Sequence, residues 1–528
     1  MVSLRSVVGR VRGGRVRGGG PGLVGRGVLA DGVPVDVAGL AELVDGVDPV
    51  VGAAVRQRAG EVTAALGGGP VSAGTRVVLD GLVGALAPLD GARAWLLLAV
   101  MTGRLPEVSQ VDSLVRTADL DGIATAVTRV ISTCVAQDDR TWPTIRIVAG
   151  QRLVDVHLTA ATDFAKGIQR VTREVTRRWV RDHQPTLIGW NADLTAIRLL
   201  TAAEAQRACW GGSAGTLPAD DTVVVPWRCT YLLPELALDI DRVTRLQAMA
   251  QYSGTTLNLI GYDLVPMTAA ETCHPALVPG FGRLMAAARH ARNIATISEA
   301  AAEEYRGWRD MLSGTGLPGP FIEGVTLSTE VFEPSDQALA TVHTRLTVGA
   351  LPLVMVVGTH EPRKNHQPII HAAELLWREG HQFSLTFIGG HSWTPEAFTD
   401  TVTRLQNAGH PVEVIPVAND DLLWGGYQAA RFTVFPSLDE GYGLPIAESL
   451  ACGTPVITSN FGSMKEIADA GGGALLVDPR DDHNLLDAMR ALLTDDQLHA
   501  ELSRAALARP LVTWDEYAAK TWQVLVRD

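Results

Sequence analysis

The segment from Phe435 to Ile457 contains two glutamates separated by seven residues. Its first residues are typical of a strand, Glu440 lies in the loop that follows, and Pro445 marks the start of a helix that carries Glu448. The free N–H groups of a first helical turn can bind an anionic or hydroxyl-rich ligand. Because a carboxylate can accept two hydrogen bonds from a vicinal diol, the pair predicts a ribose or hexose site. The alternative interpretation is that the two glutamates bind no ligand, one of them capping the helix and the other lying solvated on its surface.

Two adjacent cations, Arg363 and Lys364, follow Gly358 in a loop between a predicted strand and a predicted helix. The negative charge of a diphosphate leaving group grows as its bond to the substrate breaks, and fixed positive charge lowers that barrier. The pair therefore predicts a diphosphate site. A solvated surface pair is the alternative.

Glu440 and Glu448, within EGYGLP and followed by CGTPV, resemble the donor-site motif of family 4 retaining glycosyltransferases, whose fold is called GT-B. The resemblance implies that Glu448 binds the nucleotide ribose and that Glu440 contacts the donor sugar. The N–H groups of Gly443 and Leu444 would help to hold the sugar and the diphosphate. It further implies transfer of a hexose from a nucleotide diphosphate sugar to a hydroxyl acceptor, a glycan, lipid-linked sugar or small molecule, with retention of configuration.

The stretch VVGTHEPRKN resembles the EPRK arrangement of the same family, which places Gly358 and Thr359 at the donor. Many members have an arginine where this chain has Thr359. O-antigen mannosyltransferases share the GTxEPRKN form, and this favours a GDP-sugar donor. Since Lys364 and Arg363 meet the leaving-group charge, with Glu440 as the third catalytic residue, we expect neither a metal nor a cofactor.

Candidate contacts to the acceptor or the transferred sugar come from two earlier loops. A strand predicted at Thr256–Ile260 ends in GYDLVP, with Tyr262 and Asp263 at its carboxyl end. The family has a His-Asp or related pair there, so the resemblance implies that Asp263 contacts the sugar or the acceptor, with Tyr262 in place of the histidine. Gly167, which opens a helix after a polar loop, resembles the family's GIQRV loop over a phosphate or acceptor.

These loops require strands that end at a common edge of a sheet. From Thr144 onward β-rich apolar runs alternate with helical stretches, and the pattern restarts after Pro334. This predicts an α/β protein of the GT-B type, with two Rossmann-like doubly wound domains facing a cleft. Residues 144–334 would form the acceptor domain and 335–512 the nucleotide-sugar domain. The helix at 513–528 would cross back to the first domain, as in GT-B proteins.

Two further segments precede the α/β region. Residues 1–30 hold nine glycines and six arginines without periodicity, which predicts a disordered basic tail. Peripheral contact of this tail with anionic lipid headgroups is the alternative. Residues 31–143 have apolar residues at helical spacing, which predicts a helical extension for packing or homo-oligomer contacts.

Composition restricts the class of function. The net charge of −13 argues against broad nucleic-acid binding. Five cysteines without CxxC spacing indicate neither a zinc site nor a disulfide framework, and a reducing cytoplasm fits best. The DxD-like stretch Asp239–Asp241 falls in a predicted helix rather than at a strand end. A nucleotide-sugar epimerase, a phosphorylase and a catalytically silent GT-B scaffold or activator are the alternative functions.

Overall fold

The computed structural model describes residues 36–69, 74–136, 142–162, 167–212, 222–390 and 396–527. These residues form two compact units. The first lies within Met1–Leu259 and Pro279–Arg292, and the second within Ile260–Val278 and Asn293–Asp528. The predicted tail at residues 1–30 lies outside the described residues, and the predicted domain boundaries stay predictions.

The first unit begins with a layer of helices that bury leucine, valine and alanine side chains between them. Aspartates begin several of these helices: Asp36, Asp48 and Asp90 each accept a hydrogen bond from a backbone N–H of the first turn. The helices are α1 (Val37–Gly46), α2 (Pro49–Ala65), α3 (Thr75–Ala85), α4 (Gly91–Thr102), α5 (Val108–Asp121) and α6 (Ile123–Val135).

Strands and helices then alternate through the rest of the first unit. They are β1 (Ile145–Ala149), β2 (Arg152–Asp155), α7 (His157–Ala161), α8 (Ile168–His183), β3 (Thr186–Trp190), β4 (Ile197–Leu199), α9 (Ala202–Trp210), β5 (Val223–Trp227), β6 (Thr230–Leu233), α10 (Ile240–Tyr252) and β7 (Thr256–Gly261). The strand order is β1-β5-β4-β3-β2-β6-β7. β4 runs antiparallel to both of its neighbours, whereas the sequence predicted a wholly parallel sheet.

Arg58 on α2 joins the helical layer to the start of the sheet in the first unit. It is 3% exposed, and its guanidinium donates to the carbonyl oxygens of Met101 at 3.0 Å and of Pro143 at 2.6 Å. The same group lies 4.7 Å from the centre of the Trp142 ring, a cation–π distance. Pro143 lies two positions before Ile145, the first residue of β1, so the Arg58 side chain connects two layers of the unit.

We expect Arg58→Ala to lower the free energy of unfolding by about 3 kcal/mol, because it removes two charge-assisted hydrogen bonds from a buried site. Arg76→Ala is the control: Arg76 is mostly exposed, and its ion pair with Asp80 spans 3.9 Å. Such a surface pair contributes less than about 1 kcal/mol. Urea unfolding of both variants measures the difference. Equal stability of the two variants would contradict a role for Arg58 in joining the layers.

After β7 the chain forms α11 (Val265–Thr268) in the second unit and α12 (Leu277–Ala288) mostly in the first. The rest of the second unit consists of β8 (Asn293–Thr296), α13 (Glu299–Ser313), β9 (Phe321–Gly324), α14 (Asp336–Leu346), β10 (Leu353–Val357), α15 (His366–Arg378), β11 (Ser384–Ile388), α16 (Glu396–Asn407), β12 (Val412–Ile415), α17 (Asp420–Ala429), β13 (Phe432–Phe435), α18 (Leu444–Ala451), β14 (Val456–Ser459), α19 (Gly462–Asp469), β15 (Ala474–Val477), α20 (Asp482–Thr494), α21 (Asp496–Leu507) and α22 (Trp514–Leu525).

The sheet of β10 to β15 is wholly parallel, in the order β12-β11-β10-β13-β14-β15. Buried side chains of its strands, among them Val356, Phe387 and Val434, form one cluster with Ile369 of α15 and Met489 of α20. β10 and β13 are neighbours in the middle of the sheet. Because parallel strands point the same way, the loops after β10 and after β13 leave from one edge.

The C-terminal helix α22 packs against β8. Asn293, the first residue of β8, donates from its side-chain amide to the carbonyl oxygens of Leu525 at 3.3 Å and of Arg527 at 3.0 Å. These hydrogen bonds satisfy carbonyls that the end of a helix leaves without an internal partner.

Candidate active site

Glu440 lies in the loop between β13 and α18, where the sequence predicts it. Gly443 ends this loop with φ at 111°, a left-handed conformation that favours glycine, and α18 starts at Leu444. Pro445 is therefore the second residue of the helix, one position later than the sequence predicts. The first turn of this short helix therefore follows directly after the loop that holds Glu440.

Glu440 forms ion pairs with both of the predicted cations. Its Oε1 lies 2.5 Å from Lys364 Nζ, and its Oε2 lies 2.6 Å from Arg363 Nη1. Burial raises the pKa of Glu440, but the charges of Arg363 and Lys364 outweigh burial and hold it at about 2. Glu440 is therefore ionised at neutral pH. The three predicted catalytic residues come together although 76 positions separate Lys364 from Glu440.

The two cations are held in place by further contacts. Arg363 Nη1 donates to the carbonyl oxygen of Asp439 at 2.8 Å. Lys364 Nζ lies 4.6 Å from the centre of the Phe435 ring, and burial lowers the pKa of Lys364 while Glu440 opposes that shift. Arg363 also pairs with Glu361, whose Oε2 lies 3.6 Å from Arg363 Nη2, so the two cations lie beside the carboxylates of both Glu440 and Glu361.

Gly358 lies beside the stem of Lys364. A Cβ atom at Gly358 would lie 3.5 Å from the Lys364 stem, and the φ of Gly358 is 149°. Gly389 lies against it even more closely, since a Cβ there would be 1.9 Å from the Gly358 carbonyl oxygen. The two glycines therefore allow the loops after β10 and β11 to pass each other. Thr359 is the next residue of the same loop.

The Glu440 loop also contacts the residues that follow β7. A Cβ atom at Gly441 would lie 2.9 Å from Asp263 Cβ and 3.0 Å from the Tyr262 carbonyl oxygen, so glycine permits this approach. Both Tyr262 and Asp263 are placed beside the predicted sugar site. Burial raises the pKa of Asp263 to about 6, with Arg363 acting in the opposite direction.

Two serines hold the loop through its backbone. Ser298 Oγ donates to the Gly441 carbonyl at 2.6 Å, and Ser463 Oγ donates to the Glu440 carbonyl at 2.8 Å. Ser298 also caps α13, because its side chain accepts a hydrogen bond from the N–H of Ala301.

Glu448 lies on α18, 8% exposed, and its Oε2 accepts a hydrogen bond from the hydroxyl of Tyr427 at 2.9 Å. The carboxylate is thus buried about one turn into the helix that the sequence predicts to carry it. Leu444 and Gly443 precede it at the start of the helix.

Residues 347–509 match the family described as glycosyl transferases group 1. This chain carries a glycosyltransferase group 1 domain. The group 1 domain includes both cations and both glutamates, so the predicted resemblance to a glycosyltransferase is confirmed. Membership of family 4 and a retaining mechanism stay predictions.

Relatives of the chain include several sugar transferases. It is 27% identical over 339 residues to the serotype-specific mannosyltransferase WbdA of Escherichia coli, covering 60% of this chain and 39% of the relative. It is 32% identical over 173 residues to the O-antigen chain mannosyltransferase B of Escherichia coli, covering 32% of this chain and 44% of the relative. The chain thus spans roughly two-fifths of the length of the mannosyltransferases it matches.

Solved structures resemble the fold over a larger share of the chain. The Anabaena protein HepE, in a complex with UDP and glucose, gives a TM-score of 0.50 at 13% identity and covers 71% of this chain and 99% of its own. Sucrose-phosphate synthase from Thermosynechococcus elongatus also gives 0.50, at 17% identity, over 72% of this chain and 98% of its own. At these identities the likeness shows the fold alone, and the predicted GT-B fold is confirmed.

Gly167 lies outside the group 1 domain, in the first unit. It precedes α8 with φ at 54°, a left-handed conformation that favours glycine. Asp163, in the same predicted loop, lies outside the described residues. The role of Gly167 at an acceptor stays a prediction.

Sequence reasoning missed Tyr427 and Ser463 within the group 1 domain. Tyr427 lies in an apolar stretch of α17, and Ser463 lies in the first turn of α19, where a serine is ordinary. Neither position carries a pattern that would distinguish it from a core or capping residue, because each acts through a partner distant in sequence.

The described part of the chain contains no helix long and apolar enough to cross a membrane. Among these same residues, no group of three or more His, Cys, Asp or Glu side chains is placed to hold a metal ion. Asp239 precedes α10 and Asp241 lies in its first turn, so the DxD-like stretch is part of a helix start.

Proposed function

We propose that this chain transfers a hexose from a nucleotide diphosphate sugar to a hydroxyl acceptor with retention of anomeric configuration. The observation that carries the proposal is the contact of Glu440 with both Lys364 and Arg363 inside a group 1 domain. In the proposed complex, Lys364 and Arg363 bind the diphosphate, Glu440 contacts the sugar, and Glu448 binds the ribose. Gly443 and Leu444 provide N–H groups at the start of α18.

The proposed reaction breaks the bond between the sugar C1 and the diphosphate oxygen and forms a bond from C1 to the acceptor oxygen on the same face. The acceptor proton passes to the departing diphosphate. Lys364 and Arg363 stabilise the negative charge that develops on that group, and such stabilisation is most effective where water is excluded. Burial of the Lys364, Arg363 and Glu440 side chains supports this account.

A panel of nucleotide sugars tests the proposal. The Escherichia coli relatives are named mannosyltransferases, which supports GDP-mannose as the first donor, followed by UDP-glucose and ADP-glucose. We expect slow release of the nucleoside diphosphate from one donor, with the free sugar initially in the donor's anomeric configuration by proton NMR. Isomerised sugar still attached to the nucleotide would indicate an epimerase, and no reaction with any donor or acceptor would indicate a silent scaffold.

We expect the rate of donor turnover to be unchanged in EDTA, because Lys364 and Arg363 supply the positive charge that a metal would otherwise provide at the diphosphate. The measurement compares initial rates in buffer, in EDTA, and in EDTA with added manganese. Loss of turnover in EDTA and recovery with manganese would contradict metal independence.

Other properties stay predictions that belong with this proposal. They are a cytoplasmic location, the absence of a cofactor, peripheral membrane contact by the basic tail, and homo-oligomer contacts by the helical extension.

A further inference from the structure

Tyr427 and Glu448 form a buried pair in the second unit. Tyr427 is 0% exposed and Glu448 is 8% exposed, and the tyrosine hydroxyl donates to one carboxylate oxygen at 2.9 Å. A hydrogen bond to an ionised acceptor is about twice as strong as one between neutral groups. It gains further strength when water is excluded.

Tyr427 is itself held rigidly. Its ring packs in a core cluster with Leu346 and Met355, and it makes an edge contact with Trp424 at 5.8 Å between ring centres. Its carbonyl oxygen accepts a hydrogen bond from Thr454 Oγ1 at 2.6 Å. The tyrosine hydroxyl is therefore a fixed donor.

The same hydrogen-bond network connects α18 to its surroundings. Ser449, the residue after Glu448, donates from Oγ to the Thr454 carbonyl at 3.0 Å and accepts from Thr433 Oγ1 at 2.7 Å. The helix that carries Glu448 and the helix that carries Tyr427 are thus both fixed to the segment at Thr454. These hydrogen bonds therefore fix the position of Tyr427 relative to Glu448.

We propose that Tyr427 is a positioning residue for ribose recognition: its hydroxyl holds the Glu448 carboxylate in the orientation that accepts the ribose hydroxyls. This inference rests on the proposed function, in which Glu448 binds the ribose of the donor. A carboxylate has about four acceptor sites, so the bond to Tyr427 leaves capacity for a diol. A glutamate that is already ordered loses less rotamer entropy when the ligand binds.

Tyr427→Phe isolates the hydroxyl because it keeps the ring and its packing. We expect the variant to bind a nucleoside diphosphate about 3- to 10-fold more weakly, part of the 10- to 100-fold that a hydrogen bond to a charged group can supply. The deciding readout is the ribose factor, defined as the affinity for the nucleoside diphosphate divided by the affinity for its 2′,3′-dideoxy form. A purely structural effect would weaken both ligands equally and leave this factor unchanged.

Calorimetry with GDP, UDP, ADP and their 2′,3′-dideoxy forms measures the ribose factor for wild type, Tyr427→Phe, Glu448→Gln and Tyr517→Phe. Tyr517, a buried tyrosine of α22, is the matched control for the loss of a hydroxyl from the core. We expect a large ribose factor for wild type and Tyr517→Phe, a reduced factor for Tyr427→Phe, and a factor near one for Glu448→Gln. Thermal melting of each variant reports whether it is folded.

The outcomes separate the two levels of the proposal. Failure of wild type to bind GDP, UDP or ADP would overturn the proposed function and this inference with it. If wild type binds a nucleotide with a ribose factor near one, Glu448 takes no part in ribose recognition, and neither does Tyr427. A wild-type ribose factor that persists in folded Tyr427→Phe would overturn the role of Tyr427 alone. If Tyr427→Phe does not fold, Glu448→Asp takes its place, because the shorter side chain withdraws the carboxylate from the Tyr427 hydroxyl. We expect this variant to have a reduced ribose factor, and an unchanged factor would overturn the inference.

Discussion

Lys364→Ala is expected to lower kcat by about 100-fold while changing donor affinity much less. Lys364 Nζ lies 2.5 Å from Glu440, and this ion pair holds the ammonium group in position. The interaction strengthens as negative charge accumulates on the leaving group. An interaction made mainly in the transition state affects kcat more than binding.

Two further variants separate the charge of Lys364 from its packing. Lys364→Met keeps most of the stem that passes Gly358, so it should lose kcat to the same extent as Lys364→Ala if charge is responsible. Lys520→Ala removes a half-exposed lysine that pairs with Glu323 at 2.6 Å, and it should leave kcat unchanged. Steady-state kinetics with the donor found in the panel give kcat and KM. A folded Lys364→Ala with wild-type kcat would exclude the catalytic role.

Replacing each of the two glutamates by glutamine is expected to impair a different step, nucleotide binding for Glu448 and sugar transfer for Glu440. Glu448→Gln should weaken binding of the free nucleoside diphosphate and of the donor by about 10-fold or more, because a charged acceptor for the ribose is lost. Glu440→Gln should leave nucleotide binding intact or strengthen it, since it removes the negative charge between Arg363 and Lys364. Transfer should nevertheless fall, because Glu440 contacts the sugar in the proposed complex.

Calorimetry for binding and product formation for transfer distinguish the two variants. Glu501→Gln, at an exposed position on α21, serves as the control for the substitution itself. The stability of Glu440→Gln is measured by thermal melting, because two buried cations lose their shared charged partner and the variant should be less stable. If both variants bind nucleotide and transfer sugar like wild type, the donor-site assignment is wrong. Equal loss of nucleotide binding in both would contradict the division of roles.

The elements of the second unit followed closely from local patterns. The alternation that restarts after Pro334 predicts strands at Leu353–Val357, Ser384–Ile388 and Phe432–Phe435 and a helix at Asp420–Ala429, and the structure has these bounds. Buried parallel strands are short runs of β-branched and aromatic residues between turns, and such runs are visible without tertiary information. β4 was missed because it is only three residues long and antiparallel.

The sequence alone determined which residues could do the chemistry, because residue type and position after a strand are local properties. Two adjacent cations and two spaced glutamates indicated a diphosphate and a diol before any fold was known. Tertiary structure decided how they are used. Only the parallel sheet brings the loops after β10 and β13 to one edge, where Glu440 bridges Lys364 and Arg363. The support from Tyr427 to Glu448 was equally invisible, since a hydrogen bond across 21 positions depends on how two helices pack.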